Sequence, residues 1–131
     1  MAASCEKQKC ADDLFCGVNK PGDASSMTDL EKKHTPVITA PRSVKQGQCF
    51  EVTIEVGKYL AHPNEPGHFI EFIELYVDDT YIARMDFTAK TTCPTMKVCV
   101  SLDHAHGTLR AYERCNLHGV WGAEAPIEVT G

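Results

Sequence analysis

The run Cys49-Phe50-Glu51-Val52-Thr53-Ile54-Glu55-Val56 alternates apolar and polar residues without a break, so Phe50, Val52, Ile54 and Val56 share one face of an extended chain. Such a segment buries one side and wets the other, which commits this part of the chain to a sheet. Met96 to Leu102 repeats the pattern with Met96, Val98, Val100 and Leu102, and Thr80 to Phe87 does so with Tyr81, Ala83, Met85 and Phe87. Phe69 to Val77 puts Phe69, Ile73, Leu75 and Val77 on one side, but Ile70, Phe72 and Tyr76 make the other side apolar too, which predicts a strand covered on both faces. Gly107 to Arg114 and Pro126 to Thr130 are further candidate strands, and Asp78-Asp79 suits a tight hairpin turn because Asp tolerates the unusual backbone angles of such turns. About seven short strands separated by turn signals predict an all-β fold, an immunoglobulin-like β-sandwich.

Residues 1–33 read differently. They are polar and turn-rich, notably over Asn19-Lys20-Pro21-Gly22-Asp23-Ala24-Ser25-Ser26, and are expected to form an irregular N-terminal extension to a domain spanning residues 34–131. Thr28 and Glu31 have the spacing of a capping box, which predicts a short helix around Thr28 to Lys33. A length of 131 residues, 43% of them hydrophobic, fits one packed core. The formal charge of −5 excludes the basic footprint of a nucleic-acid or anionic-membrane binder. No apolar stretch is long enough to span a bilayer and the opening lacks the apolar run of a secretory signal, so a cytoplasmic protein is expected. Seven cysteines cannot all pair within one chain, and in a reducing compartment they are expected as thiols or metal ligands.

Four histidines stand beside turn residues: His34 before Thr35-Pro36, His62 before Pro63-Asn64, His68 after Pro66-Gly67, and His118 before Gly119. Loops can aim such side chains at a common point. Cys115 lies three residues before His118, close enough for both to hold one ion. Imidazole and thiolate together suit iron, copper or zinc and not the oxygen-seeking calcium and magnesium. His104 and His106, in Asp103-His104-Ala105-His106-Gly107, read as part of a solvated hairpin turn.

Taken in order, His34-Thr35-Pro36, His62-Pro63-Asn64 with His68, and Cys115-Asn116-Leu117-His118-Gly119-Val120-Trp121 resemble the ferrous-site motifs of the superoxide reductases, the neelaredoxin and desulfoferrodoxin family. The likeness runs from about Lys33 to the end and includes Phe69-Ile70-Glu71-Phe72-Ile73-Glu74-Leu75. It implies an immunoglobulin-like sandwich holding one mononuclear non-haem iron, with His34, His62, His68 and His118 as equatorial ligands and Cys115 as the axial ligand. It also implies one-electron reduction of superoxide to hydrogen peroxide, an electron donor such as rubredoxin, and a homodimer or homotetramer. Lys33 matches a family lysine beside the open iron position, where its charge would attract superoxide and help supply a proton. The family's Glu-Lys-His triplet is altered here to Glu31-Lys32-Lys33-His34, so no glutamate ligand is assigned.

Cys5, Cys10 and Cys16 lack the two close pairs of a rubredoxin-like centre, although with Cys49, Cys93 or Cys99 they could hold an iron-sulfur cluster or another metal. Cys93 and Cys99 are otherwise expected in an ordinary loop and strand. Two other readings use the same residue types. A cupredoxin-like electron carrier needs only two histidines and a cysteine, fewer than are present, and a structural zinc module needs a closed site.

Overall fold

The computed structural model describes residues 17–131. After a single short helix, α1 (Asp29–His34), the described chain is built of nine strands: β1 (Val37–Thr39), β2 (Ser43–Lys45), β3 (Cys49–Glu55), β4 (Ile70–Val77), β5 (Thr80–Asp86), β6 (Thr95–Ser101), β7 (Thr108–Cys115), β8 (Gly119–Pro126) and β9 (Glu128–Thr130). They form a three-stranded sheet in the order β1-β3-β6, a four-stranded sheet in the order β5-β4-β7-β8, and a two-stranded parallel pair, β2-β9.

The inner faces of the two larger sheets supply one core. Val52 and Ile54 from β3, Met96 and Val100 from β6, Ile73, Leu75 and Val77 from β4, and Leu109 and Ala111 from β7 belong to a single buried cluster. In β3 and β6 the buried residues are those that the alternation predicts, and the strands pair antiparallel with Phe50 opposite Val100 and Ile54 opposite Met96.

Strand β4 departs from simple alternation. Its pairing with β7 shifts between Ile70 and Phe72, a β-bulge that brings Ile70 to the core side together with Ile73, Leu75 and Val77. The other side is not covered by a third layer, contrary to the sequence-based expectation. Its residues shield one another: the Arg84 guanidinium lies 3.9 Å above the Phe72 ring, and Tyr76 packs edge-on against Tyr81 and Tyr112 with centroids 5.8 Å apart. A second irregularity, between Leu75 and Tyr76, leaves Ile82 of edge strand β5 without a paired residue. Ile82 packs against the core, whereas Tyr81 and Met85 are exposed.

The turn at Asp78-Asp79 forms as expected, with Asp78 in the left-handed region at φ 53°. The capping box also forms. Thr28 Oγ1 accepts from the Glu31 N–H and the Glu31 carboxylate accepts from the Thr28 N–H, starting a helix whose last residue is His34. The chain before it is tied to the four-stranded sheet, since Asn19 N–H donates to the Val120 carbonyl and Asn19 accepts from the Gly122 N–H.

Leu75 is fully buried between the sheets. Leu75→Ala is expected to cost about 2–5 kcal/mol in urea-induced unfolding, through lost burial and the cavity left behind.

Candidate metal centre

Each of the four turn-flanked histidines reaches the same end of the sandwich by a different route. His34 closes α1, His62 and His68 lie in the long connection between β3 and β4, and His118 follows Cys115 in the turn between β7 and β8. Their rings form a near-square. Successive centroids are 4.7 Å apart for His34 and His62, 4.7 Å for His62 and His68, 5.0 Å for His68 and His118, and 4.9 Å for His118 and His34. The His34 to His68 diagonal is 6.4 Å. Ligand atoms of His34, His68, Cys115 and His118 all lie within 4.8 Å of one another. His62 stands outside that group of four, but its Nε2 is 3.2 Å from Nε2 of His34.

The hydrogen bonds fix which nitrogen faces inward. Nδ1 of His34 is 2.6 Å from the Leu30 carbonyl, one helical turn back, and Nδ1 of His62 is 2.6 Å from the Pro63 carbonyl. A carbonyl oxygen can only accept, so both rings carry hydrogen on Nδ1 and present the lone pair of Nε2 to the centre. Two lone pairs then face each other at 3.2 Å with no proton between them. This is the spacing expected of adjacent nitrogens bound at about 2.1 Å to one cation, which lie about 3 Å apart at a right angle. His68 adds a third unsatisfied atom, since its buried Nε2 has no hydrogen-bond partner. His118 turns its other nitrogen, Nδ1, toward the Cys115 sulfur at 3.7 Å.

Electrostatics favour neutral rings here. Burial pushes His62 down to about 4, and burial with the charges of neighbouring imidazoles and Lys33 lowers His34 and His68. The Cys115 thiol is fully buried. Burial raises its pKa, while the backbone N–H groups of Leu117 and His118 work in the opposite direction by donating toward the sulfur. A bound cation would reverse that balance and hold the thiolate. The donor set therefore fits a thiophilic transition ion.

Several residues to which the sequence reading assigned no role hold this arrangement. Asn116 joins two ligand loops: its Oδ1 accepts from the Phe69 N–H at 2.9 Å and its Nδ2 donates to the Gly67 carbonyl at 3.0 Å. Asn64 fixes the other side of the long connection, donating to the Thr92 carbonyl and accepting from the Lys90 N–H, each at 2.8 Å. Trp121 stacks on His34 at 5.1 Å and donates from its indole to the His118 carbonyl at 3.1 Å. Gly57 has φ +87°, and a Cβ there would lie 2.9 Å from the His62 backbone nitrogen. The adjacency of Asn64 to His62-Pro63 and of Asn116 to Cys115 was the available sequence signal.

Glu31, one residue out of step with the family triplet, is engaged elsewhere. Its Oε1 accepts from the Thr28 N–H at 2.8 Å and its Oε2 from the Gly22 N–H at 3.0 Å, bonds that hold its carboxyl below the usual range. Lys33 is half-buried on α1. Among the other cysteines, Cys49, Cys93 and Cys99 are exposed free thiols; Cys5, Cys10 and Cys16, the candidates for a second centre, lie outside the described residues. Among the described residues no helix is long and apolar enough to cross a membrane.

Comparison with known proteins points to one family. Its sequence model, described as desulfoferrodoxin, matches residues 26–124. A Methanocaldococcus jannaschii protein provisionally named superoxide reductase is 47% identical over 116 residues, covering 86% of this chain and 95% of that protein. The superoxide reductase of Pyrococcus horikoshii is 34% identical over 105 residues, covering 74% of this chain and 89% of its own. Among solved structures, the superoxide reductase (neelaredoxin) of Ignicoccus hospitalis superposes with a TM-score of 0.74 at 33% identity, covering 86% of this chain and 94% of that one. With a sandwich of the same fold and a converging histidine and cysteine donor set, the chain belongs to the desulfoferrodoxin family, that of the superoxide reductases.

Proposed function

We propose that this chain reduces superoxide to hydrogen peroxide at one iron held by His34, His62, His68, His118 and Cys115. The observation that carries this reading is the pair of Nε2 lone pairs of His34 and His62 facing each other at 3.2 Å, an arrangement that a shared cation relieves. The domain of residues 34–131 supplies all five donors, and residues 1–33 extend it. A small donor protein such as rubredoxin would return the electron to a homo-oligomer, as the family resemblance implies, and the cytoplasm is the compartment expected from the sequence.

Iron held by His34, His62, His68, His118 and Cys115 would supply the single electron of the reaction. The protein's own part is to hold four imidazoles in a ring, to keep the Cys115 sulfur buried and supported by backbone N–H groups, and to bring charge and protons to the substrate. Conversion of superoxide to hydrogen peroxide consumes one electron and two protons. Lys33 lies close enough for its ammonium to depress both His34 and His68, which supports a role in drawing the anion to the ring and in passing a proton through water. Glu31, committed to Thr28 and Gly22, has no part in this scheme.

Three measurements test the reading. Metal analysis of the purified protein is expected to find one iron per chain at this site, with a thiolate-to-ferric absorption band that Cys115→Ser abolishes, and pulse-generated superoxide should decay without oxygen evolution. Copper with a two-histidine spectrum, or zinc without superoxide reactivity, would overturn it. Lys33→Met is expected to slow the second-order reaction with superoxide about tenfold at low salt and to flatten its salt dependence; an unchanged rate would remove Lys33 from the mechanism. Gly57→Ala should displace His62 and weaken iron retention about tenfold or more against a chelator while the sandwich still folds.

A further inference from the structure

The connection between β6 and β7 carries His104 and His106 from one large sheet to the other; it is not the solvated hairpin turn that its sequence predicts. The two imidazoles lie side by side, centroids 4.4 Å apart and planes tilted by 39°. The His104 side chain is 71% exposed, but that of His106 is only 7% exposed. Each ring has a carboxylate on Nδ1: Asp103 Oδ1 at 2.6 Å for His104 and Asp78 Oδ2 at 3.0 Å for His106.

We propose that His104 and His106 form a second metal site, taking a divalent transition ion of the zinc class through their Nε2 atoms. A carboxylate on Nδ1 fixes the tautomer, makes the opposite nitrogen more basic and offsets part of the ion's charge, which is the usual support for a metal-binding histidine. Both rings have that support. Their separation is close to the 4.7–5.0 Å between neighbours in the four-histidine ring. Imidazole donors without a thiolate suit zinc, copper and nickel and do not suit calcium or magnesium. The exposed His104 side leaves the remaining coordination positions to water.

The loop is held in place before any ion arrives. Asp78, in its left-handed turn, accepts the Thr108 N–H at 3.0 Å and lies 3.3 Å from the Gly107 nitrogen. On the other side Gln46 Nε2 donates to the Asp103 carbonyl and Gly47 N–H to the Leu102 carbonyl. Strand β7 separates this pair from Cys115, and at about 3.3 Å per residue its eight residues hold the two centres about 23 Å apart. The inference thus stands independently of the iron reading.

The test uses the full chain in its iron-loaded form, with exposed thiols alkylated to silence Cys49, Cys93 and Cys99. Zn2+ is titrated against a chromophoric chelator. One zinc equivalent is expected beyond the iron, lost in His104→Ala and weakened about tenfold in Asp78→Asn. His104 is exposed, so its replacement should leave folding, iron content and superoxide reduction unchanged, whereas His106→Ala risks the packing of a buried ring. Absence of the equivalent in the parent protein, or its persistence with equal affinity in His104→Ala, would overturn the proposal.

Discussion

Strand β7 is hydrogen-bonded along its whole length, to β4 on one edge and β8 on the other, and it ends on the buried Cys115. A strand held on both edges with its inner face packed against a second sheet has little freedom to slide, because a one-residue slip would expose every core residue it carries. The rest of the candidate metal centre is referenced to this fixed end. Asn116, the next residue, holds the His68 loop through two hydrogen bonds. The turn after it delivers His118, and Trp121 on β8 then reaches back to the His118 carbonyl and stacks on His34. A helix end and loops from separate parts of the chain can form a ring of side chains because one rigid strand end gives them a common anchor.

Burial at that anchor also sets the charge state. Glu113 is buried on the same face of β7 as Cys115, and burial pushes its carboxyl up to about 9, so it is neutral at pH 7 and puts no fixed anion beneath the sulfur. His34, His62 and His68 are lowered chiefly by the same cause. Desolvation therefore disfavours charge on His34, His62 and His68 and on the Cys115 thiol, and a cation beside the sulfur would work in the opposite direction.

The sequence was legible where a local rule and the tertiary context agreed. Strands β3 and β6 carry strict alternation and fold accordingly, and the capping box at Thr28 and Glu31 starts the helix it announces. Strand β8 was not readable, because Gly122 and Pro126 are poor strand formers and its residues extend only because β7 offers an edge. The two irregularities in β4 were equally hidden: no residue in Ile70 to Val77 marks a bulge, yet the bulge decides that Ile70 joins the core. For the centre, the turn residues flanking His62, His68 and His118 gave their loop setting, whereas His34 ends α1, and the order of motifs gave the family. The facing lone pairs of His34 and His62 could not be read, since they depend on two carbonyls fixing two tautomers. His106 shows the opposite error. A polar Asp-His-Ala-His-Gly run looks solvated, but Asp78, 28 residues earlier, draws that ring out of water.

A chain with a formal charge of −5 is an unfavourable target for an anion if total charge decides the encounter. It does not decide it here. At physiological ionic strength the screening length is about 8 Å, so carboxylates on the far faces of the sandwich contribute little at the histidine ring. The charge beside the ring is local: Lys33 lies close enough to depress His34 and His68, and the imidazoles add no negative charge of their own. Glu31, the acidic residue of the same short helix, has its carboxylate held by the Thr28 and Gly22 N–H groups, which draws that charge toward the start of the helix while His34 closes its other end. The capping box that begins the helix thus also commits its carboxylate to the helix start, at the end opposite His34.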